Sequence, residues 1–143
     1  MIIALFISSL TAVMSAQDYK EKITKDSIKI SYKWRKDKIL KKDSPHVLLL
    51  EIENLSKSKL TVSFNILFYW KAQLHSSSNT KKYCIKPGKR IQGKKHGLAF
   101  HSNVFTLNDY FDPMFSWIID DLIVEINESC NQRLNLKLKP AYP

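Results

Sequence analysis

Residues 60–71 alternate apolar and polar side chains at almost every position, and this pattern constrains the fold more than any other feature of the chain. The apolar positions are Leu60, Val62, Phe64, Ile66, Phe68 and Trp70. Because successive side chains of a β-strand point to opposite faces, a period of two places these six on one face. One apolar and one polar face is typical of antiparallel sheets, whereas parallel sheets are buried on both faces. The segment therefore predicts a long antiparallel strand that covers a core.

The same period recurs in four shorter segments, at residues 28–35, 47–53, 122–126 and 134–138. Short edge strands are expected around Tyr83, Ile91 and Phe100, and one helical turn is expected within residues 107–118. Together these elements predict an all-β fold, a two-layer antiparallel β-sandwich of about seven strands.

Polar segments between the predicted strands indicate where the chain turns. Residues 54–59 join two strong strands and are expected to close a β-hairpin, and residues 128–132 are expected to do the same between the last two strands. The sequence Lys86-Pro87-Gly88 predicts a tight turn, because proline presets φ near −65° and glycine tolerates positive φ.

The run EIENLSKSKLTVSFNILFYW, followed by IKPGK, resembles an immunoglobulin-like β-sandwich found in small secreted bacterial proteins. Asn54, Phe68, Tyr69, Pro87 and Gly88 carry the resemblance, which covers roughly residues 47–90. It implies an antiparallel immunoglobulin-like architecture and assigns no functional residue.

The first sixteen residues are uncharged, largely apolar and end in small side chains before Gln17 and Asp18. This pattern favours a cleaved secretory signal peptide at residues 1–16, followed by a single β-sandwich domain at residues 17–143. A buried N-terminal segment and an uncleaved anchor are the alternatives. Since spanning a bilayer takes about 20 apolar residues, no transmembrane span is expected after removal of the signal. The protein is therefore predicted to be exported, to a periplasm or to the extracellular space.

Cys84 and Cys130 are the only cysteines in the chain. In an exported protein such a pair predicts a disulfide, which would stabilise the fold by about 4 kcal/mol if the bond is unstrained. Two buried free thiols are the alternative, and titration of thiols in the unfolded, unreduced protein distinguishes the two.

Residues 54–108 contain ten basic residues and no acidic one, and they account for the whole formal charge of +10. Seven basic residues fall in a short stretch: Lys81, Lys82, Lys86, Lys89, Arg90, Lys94 and Lys95. One interpretation is a solvated region that maintains solubility and protects edge strands. The other is an anion-binding patch for lipid headgroups or acidic glycans. Nucleic acid is disfavoured as a partner, because the chain has no nucleic-acid-binding motif and is predicted to be exported.

The chain lacks the arrangements of residues that catalysis requires. It contains no nucleophile elbow, no phosphate-binding glycine loop and no zinc-protease motif, and its histidines have no metal-ligand spacing. Asp120 and Asp121 are adjacent on a predicted strand, so their side chains point to opposite faces. We therefore predict a protein that is not an enzyme and that has no metal site and no cofactor. A hydrolase that depends on the Cys84 thiol or on a metal is the third hypothesis.

The sequence thus favours a binding or structural module that engages an anionic envelope surface. The alternative from a different class is a protein-interaction subunit of an envelope or adhesion complex, which would use a sheet face or an edge strand.

Overall fold

Two antiparallel β-sheets make up the structure, a computed structural model that describes residues 18–101 and 107–128. The strands are β1 (Lys20–Lys25), β2 (Ile28–Lys36), β3 (His46–Asn54), β4 (Leu60–Trp70), β5 (Gln73–Ser77), β6 (Lys81–Ile85), β7 (Arg90–Gln92), β8 (Ala99–Phe100) and β9 (Phe115–Ile126). A 3-10 turn at Lys94–His96 separates β7 from β8, and one helical turn, α1 (Leu107–Tyr110), precedes β9. The predicted antiparallel all-β fold is confirmed.

The two sheets are built in the same way, each around one long strand. In the first sheet β3 pairs with β2 along nine residues, β1 pairs with the far side of β2, and the short strands β7 and β8 share the other edge of β3. In the second sheet β9 follows one edge of β4, while β5 and β6 share the opposite edge. Each sheet therefore has one edge that consists of two short strands in succession.

The core lies between the inner faces of the two sheets, as the alternation predicts. On β4, Val62, Phe64 and Ile66 are fully buried, and Ile30 of β2 and Leu50 of β3 are buried opposite them. Complete burial of one such side chain stabilises the fold by about 1.5–3 kcal/mol, so these inner faces hold the sheets together.

Two tight hairpin turns form without glycine. Asp26 and Ser27 connect β1 to β2, and Lys71 and Ala72 connect β4 to β5; all four have φ between 49° and 63°. Positive φ at both central residues is characteristic of a type I′ turn, the mirror image of a type I turn. The backbone twist of this turn matches the right-handed twist of the flanking strands. Sequence analysis missed β1 because its sequence, KEKITK, has a single apolar residue.

The prediction of a hairpin at residues 54–59 is wrong, because β3 and β4 lie in different sheets. The fully buried Asn54 side chain explains the path of the chain. Its Nδ2 donates to Ser58 O at 2.8 Å and to Ile85 O at 2.9 Å, and its Oδ1 accepts from Ser56 N at 2.9 Å. These bonds fold the loop over the end of the sandwich, so that the apolar faces of β3 and β4 meet across the core.

The predicted helical turn is shorter than expected. Residues 107–118 were predicted to hold it, but the helix ends at Tyr110 and Phe115 already begins β9. Phe115 and Trp117 are two residues apart and both are buried, which is the spacing of a β-strand. This strand periodicity outweighs the helical periodicity that was expected for residues 107–118.

Several predictions fall on residues outside the described ranges. These are the signal peptide at 1–16, the turn at 129–132, the strand at 134–138 and Cys130. Cys84 lies half-buried on β6, and the described residues contain no free cysteine. Its pairing with Cys130 stays a prediction.

Candidate anion-binding surface

The seven basic residues predicted as an anion site are distributed over both sheets. Lys82 is exposed on the outer face of the second sheet, the face away from the fully buried Val62 and Phe64. Arg90 lies on the outer face of the first sheet. Lys86 and Lys89 lie in the turn that joins the sheets. The structure therefore does not bring these residues together as one patch.

Arg90 and Lys81 contact other side chains of the sandwich. Arg90 lies 3.6 Å from a Glu51 carboxylate oxygen and 3.5 Å from one of Glu53. The Lys81 ammonium lies 5.8 Å from the ring centroid of Phe100, where β6 of one sheet faces β8 of the other. The positive charge of Arg90 is thus largely compensated on the outer face of its own sheet.

Lys94 and Lys95 project from the edge of the first sheet because the chain bulges out between β7 and β8. Gly93 N donates to Leu50 O at 2.9 Å and Leu98 N donates to Gly93 O at 3.0 Å, so residues 94–97 leave the ladder as a closed turn. The Lys94 ammonium forms an ion pair with the Asp37 carboxylate and donates to Asp37 O. Lys94 thereby contacts the loop between β2 and β3.

The loop between β2 and β3 is ordered by its own hydrogen bonds. Asp37 N donates to Pro45 O at 2.8 Å and closes the base of the loop. The buried Ser44 accepts from Lys38 N at 2.7 Å through its hydroxyl, and Lys41 N donates to Lys38 O at 3.2 Å. The last bond defines a β-turn over residues 38–41 at the outermost point of the loop.

Two aliphatic side chains occupy the centre of that turn. Ile39 is 69% exposed and Leu40 is fully exposed. Turns normally place Gly, Pro, Asn, Asp or Ser at such positions, so two consecutive aliphatic residues gain nothing there from the local backbone. Their exposure leaves apolar surface free to meet a partner.

Lysines surround this apolar pair, and we call the resulting surface the basic tip. It comprises Lys36, Lys38, Ile39, Leu40, Lys41, Lys42, Lys94 and Lys95. Asp37 and Asp43 are the acidic residues of the loop, so the basic tip with its loop carries a formal charge of +4. The lysines of this loop were not predicted as part of a basic surface, because Asp37 and Asp43 lie among them and lower the net charge of the segment. Their clustering is nevertheless present in the sequence as the run KDKILKK.

The positive field of the basic tip also affects titratable groups beside it. The hydrogen bond from Lys94 lowers the pKa of the Asp37 carboxyl, and the charges of His101 and Lys38 act in the same direction. Burial lowers the pKa of His46 at the base of the loop, and the charge of Lys36 lowers it further. Both shifts keep Asp37 ionised and His46 neutral near neutral pH.

Lysines also lie at the opposite end of the sandwich, but the backbone there is attached to the core. Asn54 N donates to Lys89 O at 2.9 Å and Gly88 N donates to Asn54 O at 3.0 Å. Leu55 is the exposed aliphatic residue in the loop of that end, and its N–H donates to Ser27 O.

Within the described part of the chain, no group of three or more His, Cys, Asp or Glu side chains is arranged to hold a metal ion. The same residues contain no helix of the length and apolar character needed to cross a membrane. Comparisons with protein-family models, with curated proteins and with solved structures find no match to this chain. The basic tip must therefore be interpreted from its own chemistry.

Proposed function

We propose that this protein is an exported, non-enzymatic binding module that docks on an anionic lipid bilayer through the basic tip. The observation that carries the proposal is the exposed pair Ile39 and Leu40 at the centre of a turn, surrounded by lysines with a net positive charge. Of the residues predicted from the sequence, Lys94 and Lys95 belong to this surface.

The two kinds of side chain match the two layers of a membrane surface. Lysines near an anionic leaflet contribute about 1 kcal/mol each, and their aliphatic stems can lie along the acyl boundary while the ammonium stays among the headgroups. Ile39 and Leu40 together would gain about 2–4 kcal/mol by partial burial below the headgroups. Neither contribution alone gives firm attachment, whereas both together do.

A lipid surface accounts for the basic tip better than an acidic glycan does. A glycan would use the ammonium groups, but it offers no apolar phase for two exposed aliphatic side chains. A bilayer uses both.

The protein-interaction alternative receives little support from strand β1. Strand β1 forms an edge of the first sheet, and it presents Lys20, Glu21, Lys22 and Lys25. Charged side chains on an edge strand oppose the addition of another strand.

Export, the immunoglobulin-like connectivity and the Cys84–Cys130 disulfide belong to the same proposal. The passage of the chain from one sheet to the other between β3 and β4 supports a sandwich of this type. The uncharged segment before Gln17 and the isolated cysteine pair support export.

Vesicle sedimentation tests the proposal. We expect the protein to bind vesicles of phosphatidylcholine with about 30% phosphatidylglycerol at about 20 mM salt and to dissociate at about 500 mM salt, because salt screens exposed charges. Vesicles of phosphatidylcholine alone should not bind it.

Failure to bind the anionic vesicles at low salt would refute the proposal. Binding to soluble polygalacturonate without binding to vesicles would reassign the basic tip to a glycan. Capture of one envelope protein that high salt does not release, again without vesicle binding, would support the protein-interaction alternative.

A further inference from the structure

A cleft of about 400 Å³ opens along the edge of the sandwich where β1 of the first sheet faces β9 of the second. The residues that line it on β1, β2 and β9 include Lys20, Lys22, Tyr32, Trp34, Phe115 and Trp117. Pockets that bind small molecules in proteins have volumes of about 300–1,000 Å³, and they combine apolar walls with a few polar groups. The cleft therefore has the size of a binding site, and its lining residues include both aromatic and basic side chains.

Aromatic rings form the inner wall of the cleft. Tyr32 meets Trp117 edge to face, with ring centroids 5.1 Å apart, and Trp34 stacks on Tyr110 at 4.2 Å. Phe115 packs edge-on against Trp34 at 5.9 Å. These contacts fix the ring orientations, and the half-buried Tyr32 and Trp34 present part of their aromatic surface to the cleft.

Lys22 is an exposed residue of β1, and its side chain lies along the wall of the cleft. Its ammonium donates to Trp117 O at 3.2 Å and lies 4.2 Å from the centroid of the Trp117 ring. Partial burial of the Lys22 ammonium lowers its pKa. An ammonium has three N–H donors, and none of the carboxylates in the described ranges forms an ion pair with Lys22.

The other charges near the cleft leave a positive balance. Lys20 lines the cleft beside Lys22, and Asp18 is the one carboxylate among the described residues that line it. Lys33 also borders the cleft, but its ammonium lies over the ring of Tyr19, 4.3 Å from the centroid. A ligand that enters the cleft therefore meets a net positive charge at Lys20 and Lys22.

We infer that the cleft binds a small organic anion with a planar apolar body, an aromatic carboxylate in particular. The ring lies against the wall formed by Tyr32, Trp34 and Trp117, and the carboxylate accepts hydrogen bonds from the Lys22 ammonium. This site involves no residue of the basic tip, so it does not depend on membrane docking.

Edge protection is the competing explanation for Lys22. A lysine on an edge strand discourages pairing with another chain, and it needs no ligand. The two explanations differ in one respect: edge protection predicts no preference of the cleft for an anion over its neutral analogue.

Titration with 2-naphthoate, followed by NMR of the indole N–H groups, tests the inference. The chain has three tryptophans, of which Trp34 and Trp117 line the cleft, whereas Trp70 does not. We expect the Trp34 and Trp117 signals to shift as naphthoate is added and the Trp70 signal to stay in place. The neutral analogue 2-naphthalenemethanol should bind about 10-fold more weakly, since it lacks the charge that Lys22 recognises.

Lys22→Met removes the ammonium and keeps the aliphatic stem. It should weaken naphthoate binding about 10-fold and leave the binding of the neutral analogue unchanged. Lys33→Met, with the same charge change beside the cleft, should alter naphthoate binding less than about 3-fold. Equal binding of both probes to the unmodified protein, unaltered naphthoate binding by Lys22→Met, or a shift of Trp70 alone would overturn the inference. Thermal unfolding of each variant shows whether its fold is retained.

Discussion

The two ends of the sandwich both present lysines, but they differ in how the backbone beneath them is held. At one end the turn around Gly88 and the loop after Asn54 are joined to both sheets through the buried Asn54 side chain. At the other end the loop between β2 and β3 is closed mainly by bonds within itself, and its turn presents Ile39 and Leu40 to solvent. The number of lysines therefore does not identify a binding surface. The two ends differ instead in the apolar pair Ile39 and Leu40, which lies exposed among the charges of the basic tip.

Replacement of Asn54 should have the largest effect and should act on stability. Asn54→Ala leaves the buried carbonyl of Ile85 without its donor and removes the acceptor of Ser56 N, so we expect a loss of about 2–4 kcal/mol in the free energy of unfolding. Urea denaturation measures it. Asn79→Ala, at an exposed position, is the control and should change stability by less than about 0.5 kcal/mol. A loss as small as that of the control would show that Asn54 does not hold this end together.

The double variant Ile39→Ser, Leu40→Ser should have a large effect on membrane binding. With the lysines unchanged, we expect the affinity for anionic vesicles to fall about 30-fold, which corresponds to about 2 kcal/mol of lost apolar burial. Stability should not fall, because both side chains are exposed in the free protein. Leu55→Ser, at the opposite end, is the matched control and should leave vesicle affinity within a factor of about 2. Equal losses of vesicle affinity in the double variant and in Leu55→Ser would show that the two ends do not differ in membrane binding.

Ser44→Ala should have the smallest effect and should link loop order to binding. The variant removes the acceptor of Lys38 N, so we expect about 1 kcal/mol of destabilisation and a decrease of about 3-fold in vesicle affinity as the turn becomes less ordered. Hydrogen exchange of the Lys38 amide reports the local change directly. An unchanged exchange rate would indicate that Ser44 does not order the loop.

The sequence predicted the strongly alternating strands β2, β3 and β4 because their signal is local, whereas β1 and β5 were not predicted. Alternation in residues 60–71 identified β4 and its buried face, since burial of one face requires that period. The path between strands was not predictable in this way. A polar loop after Asn54 is compatible with a hairpin or with a passage between sheets, and the choice depends on the bond from Asn54 to Ile85, 31 residues away.

The candidate sites were less visible in the sequence than the fold. Asp37 and Asp43 offset part of the positive charge that the lysines give to the loop between β2 and β3. The contact between Asp37 of this loop and Lys94 joins segments that are 57 residues apart in the sequence. Lys22 and Trp117 of the cleft are 95 residues apart. No periodicity relates such positions, so only the packing of the sheets brings them together.

The most direct test of membrane docking compares two variants that lose the same charge at opposite ends. Lys41→Gln with Lys42→Gln alters the basic tip, and Lys86→Gln with Lys89→Gln alters the turn at the other end. At about 1 kcal/mol per lysine, we predict that the first pair weakens binding to phosphatidylglycerol vesicles about 30-fold and the second less than about 3-fold. Equal losses from the two pairs would contradict the account, because binding would then follow the total charge of the protein and not the basic tip.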